Sequence, residues 1–330
     1  MKSLPSINEV AQHAGVSIAT VSRVLNNTKP VSAETRKRVE EAVATLGYHL
    51  NAAGRSLAKA QSLTLLVLVP DFSNPFYGQI VQGVESVTRE QGYRIMLSDS
   101  SGGVAGVGSA VASLYNRLVD GVISLEHLDE GGELIAQIRE LPWVSCSEFL
   151  PGAGVPYVSI DHGQAAIDAV QYLINKGHRR IALIAADESY RWARLRREGY
   201  EKALKRAKLP VDPALIRTAS STDYEAGSQA ASGLLALYDP PTAIFAVSDT
   251  LAIGTVKALR RGGRRVPEEV AVVGFDDLPL SAVFEPALTT ISQPMRELGA
   301  AAAQMLLQRL AGERPASRTL QHTIVLRDSA

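Results

Sequence analysis

The stretch NEVAQHAGVSIATVSRVLN, from Asn8 to Asn26, contains two short helical patterns with a glycine between them. Gly15 can adopt the left-handed conformation that ends a helix and turns the chain, and Ser17 follows as a suitable N-cap for the second helix. Apolar residues recur with helical spacing at Ile7, Val10, Ala11 and Ala14, and again at Val21, Val24 and Leu25. The spacing predicts a helix-turn-helix whose second helix turns Ile18, Ala19, Ser22 and Arg23 outward.

A third helix is predicted in the segment AETRKRVEEAVATLGY, residues 33–48, with Ser32 as its N-cap and Gly47 as its end. Its inward stripe is formed by Val39, Ala42, Val43 and Leu46. Residues 1–50 are therefore predicted to form one small helical domain. Two interpretations remain open at this point: a DNA-binding head, and a plain helical bundle without a ligand.

The distribution of charge favours the first interpretation. The whole chain has no net charge, but residues 1–62 carry eight Lys or Arg against four Asp or Glu. A local positive charge is what a phosphate-binding domain needs, although many solvated helices share it. The following segment, AAGRSLAKAQS (52–62), is polar apart from Leu57, and Gly54 weakens it as a helix by roughly 1 kcal/mol. We interpret residues 51–62 as a hinge, either flexible or folded only when it docks on a partner.

Composition limits the remaining classes. Of 330 residues, 46% are hydrophobic and 21% are charged, which is typical of a globular protein. The longest apolar run, 63–69, is far shorter than the roughly 20 residues of a membrane span, and no apolar leader opens the chain. We therefore expect a cytoplasmic protein with no membrane partner. The single cysteine, Cys146, excludes an intrachain disulfide and a thiolate-rich zinc site.

From Leu63 onward, short β-branched runs alternate with amphipathic segments, which predicts a doubly wound parallel sheet with helices on both faces. The predicted strands are LTLLVLV, RIMLS, GVISL, WVSCSE, YVSI, RIALIAA, LIRTA, AIFAVS and VAVVGF. Ligands of such sheets bind beyond the carboxyl ends of the strands. The segments there, among them PDFSNPFY, DESYRWARLR and FDDLP, are rich in carboxylates, hydroxyls, aromatic rings and arginines. They predict a cleft for a small polar ring compound.

An enzyme is the less favoured interpretation of this cleft. The glycine-rich stretch GGVAGVG (102–108) lacks the ending of a phosphate-binding P-loop and is interpreted as a surface turn. The six histidines are scattered without helical pairing, and each is interpreted as a capping or surface residue. We therefore expect no catalytic residue, no metal site and no cofactor. A ligand-binding protein without a DNA role and an enzyme acting on sugars or nucleosides stay as alternatives.

Four segments together resemble the lactose-repressor family of bacterial transcription regulators, over about residues 7–327. They are VSIATVSRVLN, VSAETRKRVEEAVATLGY, RLRREGYEKAL and VAVVGFDDLPLSAVFEPALTTISQP. The segments SEFLPGAGVPYVSIDH and DYEAGS resemble its cytidine-responsive branch. The resemblance implies an all-α helix-turn-helix head and an α/β core of two doubly wound parallel-sheet subdomains, similar to a periplasmic binding protein. The core would span 63–330, with one subdomain of about 63–161 plus 292–320 and another of about 162–291 plus 321–330.

The resemblance also implies two sets of site residues. Those that would contact DNA are Ser17, Ile18, Ala19, Thr20, Ser22, Arg23, Thr35, Asn51, Arg55 and Leu57. Leu57 would insert into the minor groove and kink the duplex, although Gly54 stands where the family usually has alanine. Those that would bind an effector between the subdomains are Asn74, Phe76, Tyr77, Asp161, Trp192, Arg196, Thr222, Ser248, Asp249 and Asp276.

The function that follows is an effector-controlled transcriptional regulator, most simply a repressor. We expect a homodimer that binds a palindromic double-stranded DNA operator, because one head reads one half-site. The effector would be a sugar, a nucleoside or a purine. The sequence shows no heptads of leucine after the last strand, so a tetramer built on a terminal coiled coil is not expected.

Overall fold

The structure is a computed structural model of the chain, and it describes residues 5–26, 29–48, 61–100, 103–128 and 133–330. Asn51, Arg55 and Leu57, to which the resemblance assigns DNA contacts, lie outside the described residues. The chain forms two compact units, Met1–Ser62 and Leu63–Ala330.

The smaller unit contains the helices α1 (Ile7–Ala14), α2 (Ile18–Asn26) and α3 (Ala33–Leu46). Gly15 and Gly47 both have a φ of 62°, so the predicted left-handed helix ends are confirmed. The predicted caps are confirmed as well. The Ser17 hydroxyl accepts from the Thr20 backbone N–H at 3.2 Å, and the Ser32 hydroxyl accepts from the Thr35 N–H at 3.2 Å.

Small apolar residues fill the centre of this unit: Val10, Ala11, Ala14, Val21, Val24, Val39 and Ala42. The helix-turn-helix is also held from α3. The guanidinium of Arg38 donates to the Ala14 carbonyl and, at 3.1 Å, to the Gly15 carbonyl. Carbonyl groups at a helix C-terminus attract cations. Arg38 therefore fixes the turn that orients α2.

The larger unit contains two sheets of six strands each. The first sheet, in the spatial order β11-β5-β4-β3-β1-β2, is formed by β1 (Thr64–Val69), β2 (Arg94–Asp99), β3 (Gly121–Ser124), β4 (Trp143–Cys146), β5 (Tyr157–Ile160) and β11 (Arg318–Leu320). The second, in the order β12-β10-β9-β8-β6-β7, is formed by β6 (Ile181–Ala185), β7 (Ile216–Thr218), β8 (Ala243–Ala246), β9 (Ala271–Asp276), β10 (Thr289–Ser292) and β12 (Thr323–Val325). Among the described strands, β10 and β12 form the antiparallel pair and the others pair in parallel.

Helices cover the sheets as a doubly wound fold requires. They are α4 (Pro75–Thr88), α5 (Val104–Tyr115), α6 (Glu133–Glu140), α7 (His162–Asn175), α8 (Arg191–Arg206), α9 (Tyr224–Leu235), α10 (Asp249–Arg261), α11 (Pro279–Val283) and α12 (Met295–Leu310). The pairs α4 and α12, α7 and α8, and α9 and α10 pack side by side. The chain passes between the two sheets after β5, after β10 and after β11. No helix in the described ranges has the length and apolar character of a membrane span.

One sequence prediction about the structure of a segment is wrong. The stretch 102–108 is not a surface turn from Val104 onward, because α5 begins there. Its apolar face is buried through Val107, Ala110 and Val111, and this packing outweighs the helix cost of the glycines. The predicted strands also leave out β10 and β11. The two threonines of β10 are fully buried although their side chains are polar.

The packing of α4 against α12 depends on two glycines. A Cβ at Gly83 would lie 2.0 Å from the Arg296 carbonyl oxygen, and one at Gly299 would lie 2.0 Å from the Ile80 carbonyl oxygen. Each glycine therefore lets the backbones of the two helices touch.

We expect Gly299→Ala to destabilise the larger unit by roughly 1–3 kcal/mol, because the methyl group forces the two helices apart. The matched control is Gly108→Ala in α5, where an added Cβ meets no described atom within 4 Å. That change should be neutral, or stabilising by about 0.5–1 kcal/mol. Thermal melts followed by circular dichroism measure both effects. Equal melting temperatures for the two variants would contradict the packing argument.

Candidate functional site

The exposed start of α2 carries most of the predicted DNA-contact residues that the structure describes. Ile18 is 48% exposed although it is a large apolar side chain, and Ser17, Ala19 and Arg23 are exposed beside it. Thr20 is half-buried, and its hydroxyl lies 3.0 Å from that of Ser17. The positive end of a helix, an exposed apolar residue and an arginine are features of a helix that reads a DNA groove.

Two further predicted residues flank this surface. Ser22 is half-buried on α2, one position before Arg23. Thr35 is half-buried in the first turn of α3, at the positive end of the helix dipole, where a phosphate is favoured. The structure therefore places six of these seven positions on α2 or at its N-cap, with Arg23 in the last turn, and the seventh, Thr35, in the first turn of α3.

The larger unit has a cavity of about 40 Å³ between its two sheets. Eight of the ten residues assigned to the effector line it: Asn74, Phe76, Tyr77, Trp192, Arg196, Thr222, Ser248 and Asp276. Asn74 lies at the end of the loop that follows β1, and it caps α4. Ser248 follows β8 and caps α10, and Asp276 is the last residue of β9. The carboxyl ends of the strands thus meet at the cavity, as expected for this fold.

Arg196 lies at the centre of the cavity wall and is only 4% exposed. Its guanidinium donates to the Val247 carbonyl and lies 3.6 Å from the Asp276 carboxylate. Its central carbon is 4.7 Å from the ring centre of Trp192 and 3.5 Å from that of Phe275. Its Nε finds no hydrogen-bond partner among the described residues. The arginine is held in a fixed place, but it is not fully paired.

The buried charges of this pair are incompletely compensated. Burial lowers the pKa of Arg196 to about 10, against the opposing charge of Asp276. Burial raises the pKa of Asp276 to about 7, against the opposing charge of Arg196. In both cases desolvation outweighs the attraction across 3.6 Å. A polar ligand that hydrogen-bonds to both side chains would compensate for the water that these two charges have lost.

Three residues of the cavity are not among the predicted site residues: Leu125, Ser147 and Glu148. Glu148 follows β4 of the first sheet, and its carboxylate accepts the backbone N–H groups of Arg191 and Trp192 at 3.0 and 3.2 Å. It thus caps α8, a helix of the second sheet. Burial raises the pKa of Glu148 in spite of these hydrogen bonds. A carboxylate inside the apolar segment WVSCSEF was the available signal.

Two residues assigned to the effector do not line this cavity. Asp249 is fully buried below it, and its carboxylate accepts from the Leu278 N–H at 2.8 Å and from the hydroxyls of Ser281 and Thr290. It therefore holds the loop that follows β9. Asp161 is exposed, and its carboxylate accepts the Gln164 N–H at 2.9 Å as the cap of α7. Both carboxylates are used by backbone structure.

The pKa of Asp276 should make stability depend on pH. A carboxyl with a pKa of about 7 in the folded chain and an ordinary value of 3.8 holds its proton more tightly when folded. The free energy of unfolding should therefore fall as the pH rises from about 4 to about 7.

Replacing Asp276 by Asn removes this titration and should flatten the decline of the melting temperature between about pH 4 and pH 7. Asp187→Asn is the control. Hydrogen bonds from Ser189 lower the pKa of Asp187, so its contribution lies at more acidic pH. Calorimetric melts across this range measure the effect. Parallel declines in the Asp276→Asn variant and the unmutated protein would show that Asp276 is not the group responsible.

Comparison with known proteins places this geometry in a family. Residues 6–51 match the bacterial regulatory proteins of the lacI family, and residues 170–330 match the periplasmic binding protein-like domain. The HTH-type transcriptional repressor CytR of Escherichia coli K12 is 37% identical over 327 residues, covering 98% of this chain and 96% of the relative. The Ribose operon repressor of the same strain is 35% identical over 326 residues, covering 98% of both chains.

The fold agrees with these relatives, which are regulators and not enzymes. The structure of the lac repressor dimer bound to operator and the anti-inducer ONPF is 31% identical to this chain, covers 99% of both chains and gives a TM-score of 0.88. The two family matches cover the reading head and much of the ligand-binding core. This chain therefore belongs to the lacI family of bacterial regulatory proteins and is an effector-controlled, DNA-binding transcriptional regulator.

Proposed function

We propose that the protein is a repressor that binds a palindromic operator as a homodimer and answers to a nucleoside. The observation that carries this proposal is the cavity built around Arg196 and Asp276, in a chain that also has an exposed reading face on α2. Because the operator is chromosomal DNA, the protein would act in the cytoplasm. Leu57 lies outside the described residues, so its expected insertion into the minor groove stays a prediction.

The dimer is supported by an edge of the first sheet. The strand β2 is the last strand of its sheet, and Met96 and Leu97 on it are 48% and 45% exposed. An edge strand with exposed apolar side chains can pack against a second copy of the chain. Two heads are needed to read the two halves of a palindrome. Light scattering that gave the mass of a single chain at micromolar concentration would contradict the dimer.

The chemistry of the cavity favours a planar ring that carries hydroxyl groups. Phe76, Tyr77 and Trp192 supply aromatic faces, and Arg196 and Asp276 supply a donor and an acceptor. An Asp276 with a pKa of about 7 can also donate when it is protonated. A nucleoside offers both a ring to stack and hydroxyls to bond. A sugar is the second candidate, because its hydroxyls use the same charged pair.

The effector must widen this cleft. The cavity of about 40 Å³ has room only for a few water molecules, whereas ligand sites typically measure about 300–1,000 Å³. A second cavity of about 440 Å³, lined by His127, Arg191 and Arg194 among others, shares Glu148 with the first. Filling the cleft would therefore move the two sheets relative to each other. Such a motion can couple effector and DNA by about 1–3 kcal/mol.

The operator proposal is tested by selecting duplexes from a random pool. The selected sequences should be palindromic, and binding to them should weaken steeply as salt rises. Arg23→Ala should cost roughly 1–3 kcal/mol on the selected duplex and less on unrelated DNA, because a base contact carries sequence preference.

Lys37→Ala is the matched control for the loss of one positive charge. Lys37 lies exposed on α3, 4.0 Å from Glu41. Its replacement should weaken the selected and the unrelated duplex alike. Fluorescence anisotropy measures all four affinities. Equal losses for Arg23→Ala on both duplexes would mean that Arg23 contacts only the backbone.

The effector proposal is tested by thermal shift with cytidine, uridine, adenosine and ribose, because a ligand of the folded state raises the melting temperature. At least one nucleoside should stabilise the protein, and Arg196→Ala should lose that shift. Arg197→Ala, the next residue of α8, pairs with Glu188 and Glu201 outside the cavity and should keep it. A shift with ribose alone would favour the sugar class. A shift retained in Arg196→Ala would place the effector elsewhere.

A further inference from the structure

A buried histidine lies where the chain first passes from one sheet to the other. The strand β5 ends at Ile160, and His162 is the first residue of α7. The side chain is 1% exposed, so the expectation that every histidine is a capping or surface residue is wrong at this position. Burial of a polar ring requires partners for both of its nitrogens, and the structure supplies them.

The hydrogen bonds of His162 fix its tautomer. Its Nδ1 lies 3.3 Å from Nη2 of Arg196, and a guanidinium can only donate. Nδ1 must therefore accept, which leaves the proton on Nε2. That nitrogen lies 3.4 Å from the Ser159 hydroxyl, which itself donates to the Ser147 carbonyl at 2.9 Å. The directions of the bonds run from Arg196 through His162 and Ser159 to Ser147.

The electrostatic surroundings keep the imidazole neutral. Burial, and then the positive charge of Arg196, hold the pKa of His162 well below its ordinary value. The Ser147 carbonyl acts in the opposite direction, and Arg191 and His322 act in the same direction as Arg196. A neutral ring is the form that can accept from an arginine.

The far end of this chain of hydrogen bonds is part of the cavity wall. Ser147 lines the cavity from the first sheet, and its φ of 67° is unusual for a residue other than glycine. Its N–H donates to the Val158 carbonyl at 2.8 Å, and the next residue, Glu148, caps α8. Ser147 is therefore held in place by its contacts, and a change at one of them alters the wall.

We propose that His162 is the positioning residue of the effector cleft: it orients Arg196 and ties it to Ser147 across the passage between the sheets. The inference rests on the proposed role of Arg196 as an effector contact. An effector that draws Arg196 toward itself removes the donor from Nδ1 and disturbs the bonds to Ser159 and Ser147. Through His162, an effector bound at Arg196 of the second sheet thus alters the position of Ser147 in the cavity wall of the first sheet.

The tautomer is measured on the full chain, labelled with nitrogen-15 histidine, without effector or DNA. One of the six histidines should stay neutral with its proton on Nε2 from about pH 8 down to about pH 5. Its signal should vanish in His162→Asn, which identifies it. A cationic His162 at pH 7, or a proton on Nδ1, would overturn the proposal, because neither form accepts from Arg196.

The orientation of Arg196 is measured by acrylamide quenching of tryptophan fluorescence. The chain has two tryptophans, and Trp143 is fully buried, so quenching reports on Trp192, which stacks on Arg196. His162→Leu should raise the quenching constant because Arg196 loses an acceptor and uncovers the ring. His162→Asn should restore it, since the amide oxygen can take the place of Nδ1. Equal constants in the Leu variant and the unmutated protein would overturn the proposal.

Two further variants separate this role from a merely structural one. His178→Leu is the control, because His178 bonds to Thr242 at 3.0 Å and should leave Trp192 unchanged. Ser159→Ala breaks the second link without touching the histidine. It should leave quenching near that of the unmutated protein and weaken the nucleoside-induced shift. An unchanged shift would remove Ser159 and Ser147 from the inference.

Failure of this inference and failure of the proposed function have different signatures. If no nucleoside or sugar shifts the melting temperature, the proposed effector class is wrong, but the tautomer and the quenching still decide the role of His162. If a nucleoside binds, His162→Leu should weaken it roughly tenfold or more, the usual loss for a hydrogen bond to a charged group. Normal binding by His162→Leu would overturn the positioning role.

Discussion

The buried guanidinium of Arg196 is the constraint on which the larger unit depends. A charge that is 4% exposed must be surrounded by acceptors and polarisable rings, and Val247, His162 and Asp276 supply the acceptors. Val247 follows β8 and Asp276 ends β9 of the second sheet, whereas His162 follows β5 of the first sheet. The requirement to satisfy one arginine therefore fixes how the strand ends converge, and the same convergence produces the cavity.

The incomplete pairing of that arginine is what makes the site able to respond. A fully compensated ion pair would gain little from a ligand. Here Nε of Arg196 has no partner among the described residues, and burial raises the pKa of Asp276 although its carboxylate accepts from Gln293 at 2.7 Å. Among the described residues of the smaller unit, none is a buried charged side chain. The role of this unit requires a rigid surface, which Arg38 and the Ser17 cap provide by fixing the turn before α2.

Local signals predicted much of the fold and part of the site. Gly15, Ser17 and Ser32 act within a few residues of themselves, so their conformations follow from the sequence alone. Eight cavity residues followed from the resemblance to the family. Asp249 could not be separated from Asp276, because both are carboxylates after strands, and only the tertiary contacts with Ser281 and Thr290 show that one faces inward. The burial of His162 likewise depends on tertiary contacts, with Arg196 and Ser159, that the sequence does not show.

The cap that Glu148 places on α8 has a consequence for the energy of opening. Within the described part of the chain, Tyr190 at the start of this helix makes no side-chain cap of its own. Separation of the sheets would leave the first turn of α8 with bare amide groups, at a cost of about 0.5–2 kcal/mol. Couplings between effector and DNA sites are of the same size. The carboxylate of Glu148 alone can therefore set the effector concentration at which the regulator responds.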